Sequence, residues 1–359
     1  MTLAAIISAL EEFAPLRLQE KWDNSGLQIG LPPHSDGECT GALLCLDVTE
    51  ATIAEAVERG CNLVISHHPL IFKGVKSLTG RDATQRTVAA AVRAGVAVYS
   101  SHTALDSTPG GVSYCMASLL GAMPFAPLSP ADGGRVEVSI TCPVDAVDDI
   151  RLALLDIEGV DSILSVSAKS SYLDVDSDGS FALGETPAQR LVLTLDSSRL
   201  RAVTSCLAGA PDGELCAVAV TPLEGKSSTA GLGLIADFPE AITAGELVER
   251  LKKAFGCSVV RTSLAYDPAV ELRRIALCGG AGGEFIGNAA AAGAGAYITG
   301  DIRYHDFADM ADENLILFDI GHFEGENCFK SIFYHVITNK FPNFAVYYAG
   351  AEKNPVKYL

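Results

Sequence analysis

Short apolar runs, each followed by a stretch of helical spacing, recur at both ends of this chain, and that alternation constrains the fold most. Ala42 to Val48 reads as a strand, and Thr49 and Glu50 open a helix that runs to Arg59. Leu63 to Ser66 is a second strand, Ala83 to Arg93 a helix and Val96 to Ser100 a third strand. The region from 270 onward repeats the pattern. Ile275 to Cys278 meets a Gly-rich turn, a helix runs through Ala292, and Ala296 to Thr299 is a strand. A helix near Phe307 to Asp312 precedes strand Leu315 to Phe318, a long helix and a last strand from Phe344 to Tyr348. Strands this apolar, separated by helices, predict an α/β fold with a parallel sheet covered on both faces.

The middle of the chain reads differently. Val136 to Thr141 alternates as a strand, Ala146 to Leu155 is helical, and Ser171 to Ser180 is a polar hairpin or loop. Arg190 to Leu195 is a strand, Ser198 to Leu207 a helix and Cys216 to Thr221 a strand. Strand–helix–strand–strand–helix–strand order predicts a small ferredoxin-like α+β unit at 126–229, inserted between the two halves of a discontinuous α/β domain, 1–125 and 230–359. The second half resumes with a helix near Ala244 to Phe255, after Thr243.

The termini and the charge limit the function classes. Met1 to Trp22 mixes helical apolar spacing with Glu11, Glu12, Arg17 and Lys21, which predicts an amphipathic helix rather than a signal peptide. No run of about 18 apolar residues suggests a membrane span. The ten cysteines are dispersed without a CxxC pair, and Cys45 and Cys278 sit in apolar strands. Buried thiols in a reduced cytoplasmic compartment are the expectation. With 26 basic against 44 acidic residues and a net charge of −18, nucleic-acid binding is disfavoured, because such affinity comes from cations on phosphates.

The chemistry gathers at strand ends. Of seven histidines, His67, His68, His102 and His322 lie there, where open α/β sheets bind ligands. Asp106 follows the next strand. His322 and Glu326, four apart at a helix start, share one face. Three imidazoles and two carboxylates suit Zn, Mn, Fe, Co or Ni, and two neighbouring ions need a bridging carboxylate such as Asp106 or Glu326. Spacing alone leaves open a packed imidazole at His67-His68 and a hydrogen-bonded pair at His322 and Glu326. Asp301 and His305 either orient ligands or form a turn and helix cap, with the turn favoured. Trp22, the only tryptophan, is expected to anchor the core rather than cover the site. The run Cys278 to Glu284 either cradles a phosphate or lets backbone approach the site closely.

Five ordered segments resemble the Nif-three-like family, whose members are also labelled GTP cyclohydrolase I type 2 homologues or dinuclear metal centre proteins. They are KWDNSGLQIG (21–30), ISHHPLIF (65–72), YSSHTALDS (99–107), TGDIRYHD (299–306) and DIGHFEGE (319–326). The resemblance implies two divalent metal ions per subunit, of undetermined identity, on His67, His68, Asp106, His322 and Glu326. It implies a toroidal homohexamer and likens the insert to a PII-like domain. Where the family usually reads Val-Asn-Asp, this chain has Val112-Ser113-Tyr114. The implied activity is that of a metal-dependent hydrolase acting on a nucleotide or another small molecule. His102, four residues before Asp106, either supports the ligands or transfers a proton beside the metals, or is a structural histidine. The other class is a non-catalytic metal-binding, metallochaperone or regulatory scaffold that senses a small molecule through its insert.

Overall fold

In the computed structural model, which describes residues 1–30, 37–132, 134–157, 159–160, 162–175, 181–210, 213, 216–310 and 313–359, the chain opens with α1 (Leu3–Phe13). Thr2 caps this helix by accepting from the Ala5 amide, and Leu3, Ile6 and Leu10 form its buried stripe. The strands β1 (Gly26–Ile29), β2 (Ala42–Cys45), β3 (Leu63–Ser66) and β4 (Ala97–Ser100) follow. Between them lie α2 (Glu50–Glu58), held by a capping box of Thr49 and Thr52, and α3 (Ala83–Ala94), which ends at Gly95 in the left-handed region. The short α4 (Thr103–Asp106), α5 (Val112–Leu120) and β5 (Met123–Asp132) complete this part.

Next come β6 (Arg135–Pro143), α6 (Val147–Leu155), β7 (Leu164–Val175), β8 (Phe181–Asp196), α7 (Leu200–Gly209) and β9 (Ala217–Pro222). The return runs through β10 (Lys226–Thr243), α8 (Ala244–Phe255), β11 (Arg261–Thr262), β12 (Glu271–Ala281), α9 (Ile286–Ala291) and β13 (Ala296–Gly300). It finishes with α10 (Tyr304–Asp309), β14 (Ile316–Asp319), α11 (His322–Glu326), α12 (Phe329–Lys340) and β15 (Val346–Tyr348).

Two compact units result: Met1–Pro130 with Thr229–Leu359, and Ala131–Ser228. The first holds two sheets. One has the order β1-β4-β3-β2-β15, parallel except for β1, and the other β11-β14-β13-β12-β10-β5, with β12, β13 and β14 parallel. Alternation along the strands explains the layers. Leu43, Cys45, Val64 and Val98 face α2 and α3 in one cluster, while Leu44, Ile65 and Tyr99 turn inward. The inward set meets Leu277, Ile298 and Phe318 of the second sheet, together with Phe329 and Phe333 of α12, in a shared core. Each fully buried side chain of this kind stabilises the fold by roughly 1.5–3 kcal/mol. Packing on both faces is what the unbroken apolar strands require.

The second unit has strand order β7-β8-β6-β9, every pair antiparallel. Val138, Ile140, Leu191 and Leu193 pack on Ile150 and Leu154 of α6 and on Val203 of α7. The strand–helix–strand–strand–helix–strand order expected from the sequence is present here.

Several expected boundaries need correction. β2 stops at Cys45, before Val48, because the Leu46 and Asp47 amides are taken by the Glu352 carboxylate instead of a neighbouring strand. The Gly-rich turn after Cys278 is the end of β12, bent at Gly280 (φ 63°). The final long helix is two helices, α11 and α12, and the last strand starts at Val346. After the turn Glu20–Asp23 the chain enters an antiparallel edge strand, β1, that the sequence pattern does not predict. Ser171 to Val175 belongs to β7, whereas 176–180 lies outside the described residues. The helix expected at 307–312 spans Tyr304–Asp309, and 311–312 also lies outside them. All ten cysteines are free thiols, Cys45 and Cys278 among the buried ones. No helix among the described residues is long and apolar enough to cross a membrane.

Candidate metal centre

The parallel strands of both sheets deliver their carboxyl ends to one place. His67 and His68 follow β3, Asp106 ends α4 after β4, and His322 and Glu326 begin and end α11 after β14. Asp47 follows β2 and Asp301 follows β13. Loops from two sheets thus converge, which is the geometry by which α/β folds build ligand sites.

Each candidate imidazole is held by Nδ1 and presents Nε2. His67, fully buried, donates from Nδ1 to the Ser101 carbonyl at 3.1 Å. His68 Nδ1 lies 2.9 Å from Asp47 Oδ1, and His322 Nδ1 lies 2.8 Å from Asp301 Oδ2. A partner of this kind fixes the ring and raises the basicity of the opposite nitrogen. The three Nε2 atoms then meet at Glu326. His67 Nε2 is 3.5 Å from Oε1, while His68 and His322 lie 2.8 and 3.1 Å from Oε2. Asp106 Oδ1 is 3.5 Å from His67 Nε2.

The donors therefore fall into three overlapping groups, two of which share the Glu326 carboxylate. His67, Asp106 and Glu326 form one, and His68, His322 and Glu326 another; His67, His68 and His102 form a third. Within each group the candidate ligand atoms all lie within 4.8 Å of one another. Two features fit a cation. His67 Nε2 and Asp106 Oδ1 are buried without a hydrogen-bond partner, which costs about 1–3 kcal/mol per group when nothing binds them. The donor set, imidazole nitrogen with carboxylate oxygen and no thiolate, suits divalent first-row transition metals.

Electrostatics follow from the crowding. Burial disfavours a charged His68, yet hydrogen bonds to Asp47 and Glu326 outweigh it and push the ring up to about 10. The same balance, through Glu326 and Asp301, pushes His322 up to about 9. Burial also opposes ionisation of Glu326, but the three histidines hold it well below the usual carboxylate range. Asp106 is pushed up to about 6 by burial, against the pull of His67. A cation at these atoms competes with protons.

Backbone approaches closely here. A Cβ on Gly280 would lie 2.0 Å from Glu326 Oε1, and one on Gly279 would lie 2.6 Å from Val112 Cγ1. Close approach thus accounts for the glycine run at the end of β12.

The profile of the Duf34/NIF3 (NGG1p interacting factor 3) family matches residues 1–355. The chain belongs to this family. It is 29% identical over 342 residues to NIF3-like protein 1 of Bos taurus, covering 92% of this chain and 85% of that one. It is 28% identical over 330 residues to the GTP cyclohydrolase 1 type 2 homolog of Halalkalibacterium halodurans, covering 88% and 87%. A Bacillus cereus protein related to NIF3 matches in structure with a TM-score of 0.82 at 27% identity, covering 100% of this chain and 99% of the other.

Around this NIF3-family cluster, other residues take clear places. His102 hydrogen-bonds through Nδ1 to Asp23 Oδ1 at 2.9 Å, and its ring lies 5.4 and 5.6 Å from those of His67 and His68. Asp23 also accepts from the Thr103 amide and hydroxyl. Burial of Asp23 is outweighed by His102 and Thr103, and its carboxyl is lowered far below the ordinary range. Asp301 orients His322, where a turn was favoured; it adopts φ 53°, an uncommon conformation for a non-glycine residue. His305 sits in α10, its ring against Tyr304. Trp22 does not anchor the core: it is 57% exposed, edge-on to His102 at 5.9 Å and tilted on Phe72 at 6.1 Å. The indole is placed there because Asp23 and Asn24 are tied to Thr103 and the Ile71 carbonyl. At the departure from the family pattern, the Tyr114 hydroxyl donates to the Thr229 carbonyl, a packing role. Sequence reasoning missed Asp47, read there as lying inside the strand Ala42 to Val48, and gave Asp23 no role although it sits in the KWDNSGLQIG segment.

Proposed function

We propose that this chain holds two divalent metal ions, one on His67, Asp106 and Glu326 and one on His68, His322 and Glu326, and is a metal-dependent hydrolase. The observation that carries the reading is Glu326, whose two carboxylate oxygens face different imidazole sets in a pocket with unsatisfied donors. Two such ions, when bound, supply Lewis-acid polarisation and make water nucleophilic near neutral pH. The chain's own residues do the rest. Asp47, Asp301 and the Ser101 carbonyl orient the imidazoles, and Glu326 spans both groups. His102, held through Nδ1 by Asp23 with its ring 5.4 and 5.6 Å from those of His67 and His68, is the residue we assign to proton transfer.

The relatives named GTP cyclohydrolase 1 type 2 homolog support a nucleotide or similar small molecule as substrate. Family membership supports a toroidal homohexamer, and the βαββαβ order of Ala131–Ser228 supports a PII-like insert. The absence of an apolar spanning helix among the described residues agrees with a cytoplasmic protein.

Metal content per chain tests the reading, in protein purified without added metal and in His68→Ala and Glu326→Ala variants. About two ions in the wild type, with loss in the variants, is expected of a dinuclear site. Little metal in folded wild-type protein would sink the assignment and leave a regulatory scaffold as the better account.

A further inference from the structure

Beside His68 and His322 the fold holds a cavity of about 430 Å³, a volume in the range of small-molecule sites. One wall is the chain's own C-terminal segment, through Pro355, Val356 and Tyr358. That segment lacks regular structure but is pinned at two points. Glu352, with a side chain 4% exposed, pairs with Lys330 and accepts from the Leu46 and Asp47 amides. Asn354 Nδ2 donates to Glu324 Oε1 at 2.9 Å. Val259 and Phe323 add further apolar surface.

The polar lining is unequal in its commitments. Asp47 and Asp301 are bound to His68 and His322, and Glu324 to Asn354. Asp319 accepts from the Ile302 and Gly321 amides. Arg261 is the only lysine or arginine among the described residues that line the cavity. It is fixed by Asp319 at 3.4 Å, by the Ile302 carbonyl and by the Phe307 ring, 5.0 Å from its centroid, yet its side chain remains 52% exposed. A guanidinium has five N–H donors, so this one keeps spare donors in a fixed orientation. Such a fork matches a carboxylate or phosphate.

We propose that this cavity binds an organic anion with an apolar body, its carboxylate or phosphate on Arg261 and its body against the C-terminal wall of Val356 and Tyr358. The ligand's other end reaches the His68–His322 side of the cluster, a part that rests on the two-ion reading. The anion end does not rest on it. Arg261 and the tail are therefore specificity-determining, and the pinning by Glu352 is what keeps the wall in place.

The test is calorimetric binding of phenyl phosphate, benzoate and inorganic phosphate to the full chain, metal-loaded and metal-stripped. Phenyl phosphate and benzoate separate the phosphate and carboxylate alternatives. Arg261→Gln is expected to weaken binding of the preferred aromatic anion about tenfold or more, as loss of a charged hydrogen bond does. Val356→Ala/Tyr358→Ala is expected to weaken that anion by about tenfold and to leave inorganic phosphate within about twofold, since only the apolar contact is lost. The tail variant disturbs no buried charge, so it carries the test if Arg261→Gln fails to fold once Asp319 has lost its ion-pair partner. Aromatic-anion binding unchanged in either folded variant overturns the proposal. Arg261-dependent binding that persists in metal-stripped protein upholds it, even if the two-ion reading fails. Binding only to metal-loaded protein and equal in Arg261→Gln assigns the anion to the ions and overturns it.

Discussion

The Nε2 atoms of His68 and His322 lie 3.2 Å apart, and both face the same oxygen of Glu326. Two protonated rings repel at that distance, whereas two neutral rings can share one cation. Without metal the rings are pushed up to about 10 and about 9, so at pH 7 both carry protons that a cation must displace. Below the lower of these values, apparent affinity therefore rises with pH. Displacing two protons gives about a hundredfold gain per pH unit. Competition against a chelator of known affinity at pH 6, 7 and 8 measures the slope, and proton release in weak buffer gives the stoichiometry. A pH-independent affinity would contradict the arrangement.

Asp47 and Asp301 touch the candidate centre only through His68 and His322. Asn in place of either keeps the shape and removes the charge that polarises the ring. At Asp301 the left-handed backbone, φ 53°, tolerates Asn as well as Asp. Each variant should fold and weaken metal affinity about 10–100-fold, the usual effect of losing such an orienting partner. Zinc competition assays on the two variants read this directly. Affinity within error of the wild type in both would show that the carboxylates are surface ion pairs with no part in the site.

The parallel strands could be read from the chain because residues such as Leu63, Val64 and Ile65 are apolar on both faces, and only a doubly covered sheet demands that. The same runs placed His67-His68 and Asp106 at strand ends. Helix α8 was readable from Thr243, whose capping box with Glu246 opens it. Asp23 was not, since its partner His102 lies 79 residues away and nothing local marks a buried carboxylate. Asp47 was hidden for the same reason, and the early end of β2 depends on Glu352, 305 residues further on. Trp22 misled because a lone tryptophan usually anchors a core, whereas here the tied-down Asp23 leaves the indole at the surface beside His102. The four residues of β1 carry too short a pattern to announce an edge strand.

Gly280 separates backbone strain from damage to the site. Its φ of 63° costs an L-residue roughly 1–2 kcal/mol, and a Cβ there would lie 2.0 Å from Glu326 Oε1. Gly280→Ala must therefore move the carboxylate that faces both imidazole sets. Gly287, inside α9, has nothing within 4 Å of its would-be Cβ, and Ala there should stabilise the helix by about 0.5–1 kcal/mol. Gly280→Ala is expected to lose bound metal and to lower stability in urea beyond the backbone cost alone, while Gly287→Ala keeps its metal. Metal retained at wild-type level in Gly280→Ala would mean that Glu326 is free to retreat, and that its position between the two imidazole sets is not what binds the ions.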